Sequence, residues 1–103
     1  RAGGLLLALC LLAFWRPALA ESVLVVPGTG DAIAILRALA SDFNALHRGD
    51  MRVDVPDSVG SSGGIRAVMR GEAELARTAR PLKPQEKGAG LRAEPWATYP
   101  VVF

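Results

Sequence analysis

The run Val23-Leu24-Val25-Val26 breaks at Pro27-Gly28-Thr29-Gly30 and leads straight into a stretch of helical periodicity. That succession leaves few folds open. A short β-branched apolar run bounded by proline and glycine is the pattern of a buried strand. After the turn, Ile33, Leu36, Leu39, Ala40, Phe43 and Leu46 recur at three- and four-residue steps, which predicts an amphipathic helix. Thr29 or Asp31 is the expected cap at its start. Arg48-Gly49-Asp50 ends it, and Met51-Arg52-Val53-Asp54-Val55 alternates apolar and polar residues as a second strand does. Strands alternating with helices predict an α/β fold whose sheet begins parallel. Further on, the pattern predicts a loop over 56–64 and a helix from Ile65 to Gly71 with Ile65, Val68 and Met69 on one face. A weak third strand follows over 73–78, then one helical turn over 84–87 and a last strand over 96–103.

The front of the chain reads differently. A nearly continuous apolar run, Leu5 to Trp15, is followed by Arg16-Pro17-Ala18-Leu19-Ala20, which fits the small-x-small cleavage pattern of a secretory signal peptide over residues 1–20. The run is short for a membrane span, which takes about 20 residues. The whole chain holds 12 Lys and Arg against 10 Asp and Glu, but Arg1 and Arg16 fall in the signal. Residues 21–103 therefore hold 10 of each sign, and no basic tract argues for nucleic acid. Cys10, the only cysteine, also falls in the signal, so the mature segment has no disulfide and no cysteine metal site. The final apolar run, Val101-Val102-Phe103, reads as a strand cut short, and 21–103 is expected to be part of a longer protein.

In an open α/β sheet, ligands bind beyond the carboxyl ends of the strands, where helices begin. Two turns here carry glycines and hydroxyls at such places: Gly28-Thr29-Gly30-Asp31 and Gly60-Ser61-Ser62-Gly63-Gly64. The first turn of a helix has unpaired N–H groups and the positive end of the dipole, so both turns suit a small anion. No Gly-Lys-Ser/Thr follows either turn, which excludes a Walker A loop, and the glycine spacing excludes a dinucleotide fingerprint.

The stretch Val25-Val26-Pro27-Gly28-Thr29-Gly30, the long helix, then Val59-Gly60-Ser61-Ser62-Gly63-Gly64-Ile65 and Ala79-Arg80-Pro81-Leu82 resembles phosphate-binding proteins of ABC importers. The resemblance covers residues 21–103 and is most specific at the Gly-Ser-Ser-Gly-Gly turn. It implies part of the first lobe of a two-lobed periplasmic binding protein (type II) fold. It also implies capture of phosphate or a related oxyanion, with delivery to an ABC permease in the inner membrane. Carried over by position, it assigns the ligand to Thr29, Gly30 and Asp31 of the first turn and to Ser61, Ser62 and Gly63 of the second, with Arg77 and Arg80 as additional candidates. No cofactor, metal or catalytic residue is implied, and the protein is not expected to be an enzyme.

The chain departs from the family at one position. The resemblance places an aspartate, acceptor of the proton of hydrogen phosphate, where Ala79 stands here, and Arg77 and Arg80 flank the gap. A pocket of donors alone needs no protonated ligand, so discrimination against sulfate is expected to weaken. Asp57 is the acid nearest the second turn in sequence that can replace the lost acceptor. The two arginines also admit an oxyanion-sensing or surface-interaction protein of the same fold. An enzyme acting on phosphorylated substrates is the remaining alternative, disfavoured because His47, the only histidine, has no nucleophile at recognisable spacing.

Overall fold

The computed structural model describes residues 21–98. The expected signal peptide, Cys10, Tyr99 and most of the last expected strand lie outside these residues; Trp96 to Thr98 are described and have no regular structure. Five elements follow in order: β1 (Ser22–Val25), α1 (Ile33–Leu46), β2 (Met51–Asp54), α2 (Gly60–Met69) and the short α3 (Pro84–Gly88). The strands β1 and β2 pair in parallel with Ser22 opposite Met51 and Val25 opposite Asp54. Helix α1 is the crossover between them, as a parallel pair requires.

The fold of the first half follows its periodicity. Helix α1 spans 14 residues, the expected length and place, but its start is not capped by a side chain. Ala32 occupies the cap position with φ 56°, the one non-glycine residue of positive φ among the described residues. Thr29 instead accepts the Asp31 N–H at 3.2 Å, closing the turn locally rather than reaching into the helix. A left-handed alanine costs about 1–2 kcal/mol, which the surrounding turn must offset.

Polar residues of α1 hold the far side of β2. The Asn44 amide donates to the Val53 carbonyl at 2.9 Å and accepts the Val53 N–H at 2.7 Å, taking both main-chain groups as a neighbouring strand would. Arg37 donates to the Val55 carbonyl at 3.1 Å and to the Asp57 carboxylate at 2.8 Å. Asp57 is therefore paired with α1. The buried apolar residues are few, Ala40, Val55 and Ile65, whereas Ile35, Leu39, Leu75 and Trp96 remain about half exposed.

Two expectations for the second half are corrected. Helix α2 begins at Gly60, so Ser61 to Gly64 lie within its first turns rather than ahead of it. The strand expected over 73–78 reduces to one parallel bridge, Arg77 with Gly28. Alternate main-chain groups after β1 bond in two directions. Val26 N–H and Gly28 C=O meet residues 54 and 59, while Pro27 C=O and Thr29 N–H meet Arg77. The one helical turn expected near Pro84 is α3.

Candidate oxyanion site

The two glycine-rich turns meet. A side chain built at Gly64 would place its Cβ 2.6 Å from the Gly28 Cα, so only glycine lets α2 approach the end of β1 this closely. Gly28 itself has φ 140°, and a Cβ there would lie 1.9 Å from the Arg77 carbonyl oxygen. One bond ties the loops directly: the Val59 N–H donates to the Gly28 carbonyl at 3.0 Å. A Cβ at Gly30 would lie 3.3 Å from that of Ser58. The two helix starts therefore share one corner of the molecule, beyond the carboxyl end of β1.

At this corner four hydroxyls are oriented in the same sense. Thr29 Oγ1 accepts from the Asp31 N–H, and Ser58 Oγ accepts from the Gly60 N–H at 3.2 Å. Ser61 Oγ accepts from the Ala79 N–H at 2.9 Å, and Ser62 Oγ accepts from Arg80 Nη2 at 3.2 Å. A hydroxyl carries one proton and two lone pairs. Each of these has an N–H on its oxygen, and none donates to a protein acceptor among the described residues. Their protons are therefore free for solvent or for an incoming acceptor. The amides of Ser61 and Ser62, in the first turn of α2, have no partner within the helix, as helix geometry requires. Such a corner offers donors to a group rich in acceptor oxygens.

The two arginines have different fates. Arg77 is buried, and its guanidinium donates to three main-chain carbonyls, those of Val26, Thr29 and Pro56, the last at 2.6 Å. Burial lowers its pKa, the nearby Arg37 adds to that, and Asp57 opposes it. Its main chain completes the tie by donating to the Pro27 carbonyl at 2.8 Å and accepting the Thr29 N–H at 3.1 Å. The Thr29 amide is thus taken by the fold, which leaves that residue its hydroxyl. Arg80 pairs with both oxygens of Glu86 at 2.8 and 3.0 Å while it reaches Ser62.

A cleft of about 510 Å³ brings Thr29, Asp31 and Ala32 opposite Thr78, Ala79 and Arg80, with residues 93–98 along a third side. Gly30 borders the corner, and Gly63 lies inside α2 against Val59. Ser61 and Ser62 do not line this cleft themselves but bond to Ala79 and Arg80, which do, and Asp57, exposed and held by Arg37, is also off it. A second cleft of about 350 Å³, lined by Leu36, Ile65, Val68, Leu82 and Leu91, presents aliphatic side chains rather than converging donors. His47 stacks on Phe43 with ring centroids 4.2 Å apart. No group of three or more His, Cys, Asp or Glu is placed to hold a metal ion among the described residues. No helix there is long and apolar enough to cross a membrane.

Sequence reasoning missed Glu86 and Asn44 as organising residues. For Glu86 a signal existed: it stands three residues after Lys83, whose N–H it accepts at 2.7 Å, the reach-back spacing of a helix start.

Parallel strands, a helical crossover and two helix starts at one sheet end make an α/β unit of the kind that builds one lobe of a two-lobed periplasmic binding protein. The solved structures similar to this chain include an ABC-type phosphate transport receptor from Vibrio cholerae. It is 32% identical with a TM-score of 0.56, over 63% of this chain and 25% of that one. PstS from Borrelia burgdorferi matches with 22% identity and a TM-score of 0.59, over 66% of this chain and 26% of its own length. The chain spans about a quarter of the length of these receptors. No family model matches the sequence, and no curated protein does. The resemblance to phosphate-binding receptors, read from the two turns, is thus borne out by three-dimensional similarity.

Proposed function

We propose that this chain is part of an exported solute-binding protein that captures phosphate or a related oxyanion for an ABC importer. The observation that carries the reading is the corner where Gly64 meets Gly28, with four hydroxyls around it whose oxygens already accept an N–H. Its likeness to a phosphate transport receptor at 32% identity supports the same ligand class. In this reading residues 1–20 direct export to the periplasm, and 21–103 form part of the first lobe. Apolar residues left exposed, such as Ile35 and Leu39, suit cover by further chain.

The ligand contacts are the hydroxyls of Thr29, Ser61 and Ser62 with the main-chain N–H groups of Gly30 and the first turn of α2. The Asp31 N–H is already given to Thr29 Oγ1, so Asp31 acts by holding that hydroxyl, and Gly63 lies within α2. Arg77 acts by holding the turns in place, and Arg80 stands over Ser62. Binding is closure of two lobes around a desolvated anion, which presents the bound form to a membrane permease. No covalent bond changes in that cycle. Arg77 is turned inward and Arg80 is paired with Glu86, so neither of these two arginines favours the surface-interaction alternative.

Calorimetric titration of the full-length mature protein with phosphate and with sulfate tests the proposal. Saturable binding of at least one is expected. Comparable affinities for the two would mean that neither Asp31 nor Glu94, the carboxylates lining the cleft, replaces the acceptor that Ala79 lacks. Failure of both to bind removes the proposal.

A further inference from the structure

Resting on the oxyanion reading, we infer that Glu86 is a positioning residue which, through Arg80, sets the Ser62 hydroxyl as a donor to the ligand. The argument starts from the hydrogen-bond count. Glu86 is buried, with 8% of its surface exposed, and Oε1 takes both Arg80 Nη1 at 2.8 Å and the Lys83 N–H at 2.7 Å. Its other oxygen takes Arg80 Nη2 at 3.0 Å. Two parallel bonds from a planar fork fix the orientation of the guanidinium as well as its position.

The remaining hydrogens of the two terminal nitrogens then have only one direction each. Nη1 gives its second to the Pro81 carbonyl at 2.9 Å, and Nη2 gives its second to Ser62 Oγ at 3.2 Å. With that bond on its oxygen, Ser62 keeps its own proton for an incoming acceptor. Glu86 neutralises Arg80 in place, so the pair acts on the ligand less by net charge than by the direction of one O–H. The pair also stays ionised: its mutual hydrogen bonds hold the Glu86 carboxyl at about 2 and raise Arg80. Ser61 is set by the neighbouring Ala79 N–H, a main-chain group that no substitution other than proline removes. Ser62 is thus the one serine of α2 whose orientation depends on a distant side chain.

The test is a double-mutant cycle on the full-length protein, read by titration with inorganic phosphate. Glu86→Gln keeps an oxygen for the Lys83 N–H, so α3 stays closed, but it loses the two-point hold on Arg80. Glu86→Gln and Ser62→Ala are each expected to weaken binding about three- to tenfold, a usual range for coupled neighbours. The double variant should bind within about twofold of Ser62→Ala, because the relay has lost its end point. Fully additive losses overturn the relay, and so does a Glu86→Gln variant that melts lower yet binds phosphate as the wild type does. A wild-type protein that does not bind phosphate fails earlier, at the oxyanion reading itself.

Discussion

Arg77 and Arg80 lie three residues apart beside the same glycine corner, yet one is part of the scaffold and the other faces the cleft. Arg77 spends its guanidinium on the carbonyls of Val26, Thr29 and Pro56, joining the ends of both strands and the first turn. Arg80 spends its own on Glu86, Pro81 and the Ser62 hydroxyl. An arginine next to an anion-ready turn is therefore no guide to a ligand contact by itself. What decides is whether main-chain carbonyls nearby lack partners. Strand ends that diverge into turns leave such carbonyls, and a buried guanidinium with five donors can serve several at once.

That contrast can be broken first by removing Arg77. Arg77→Met keeps bulk but leaves three carbonyls without this donor, at about 1–3 kcal/mol for each that stays dry. A loss of about 3 kcal/mol or more in urea-induced unfolding is expected. A loss below about 1 kcal/mol would show that water replaces the guanidinium easily and that Arg77 is no tie.

Acid titration sharpens the other side of the contrast. Hydrogen bonds from Arg80 and from the Lys83 N–H hold the Glu86 carboxyl at about 2, below its ordinary 4.5. A carboxyl depressed by folding contributes stability that is complete above its unfolded value and is lost as pH falls through its folded one. The melting temperature should thus drop more steeply between pH 4.5 and 2 in the wild type than in Glu86→Gln. Parallel curves would mean that the pair contributes nothing there.

The smallest effect is expected at Arg37. Its pairing with Asp57 joins side chains 46% and 99% exposed, and such pairs are worth about 0–1 kcal/mol. Arg37→Ala removes that pair and one bond to the Val55 carbonyl, so unfolding should change by about 2 kcal/mol or less, a measurement that separates this half-exposed arginine from the buried Arg77. A cost matching that of Arg77→Met would erase the distinction.

The first half of the fold was legible because its signals are periodic and local. β-branched residues at 23–26, helical steps from Ile33 to Leu46 and alternation over 51–55 each point to one element, and each forms within a residue or two of expectation. The start of α2 was not legible. Glycine disfavours helix by about 1 kcal/mol relative to alanine, so Gly60, Gly63 and Gly64 read as loop. Tertiary contact overrides that preference at Gly64, where α2 presses on Gly28 and no larger residue fits.

The candidate site divides in the same way. Serines and glycines of the two turns announce themselves, and the turns do converge. The partners that orient the serines are the Ala79 amide and the Arg80 side chain, brought over α2 by a segment whose strand signal reduced to one bridge. Such pairings at a separation of 18 residues leave no mark on either local pattern. Asn44 is hidden for a related reason: an amide in the middle of a helix reads as solvated, until β2 supplies a main-chain edge for it to bind.

The central claim is that both turns grip one anion, and amide chemical shifts followed by NMR during a phosphate titration of the full-length protein test it most directly. The account predicts saturable shifts at Gly30, Asp31, Ser61 and Ser62 with one common dissociation constant. Shifts confined to one turn, or centred on residues far from both, would contradict it.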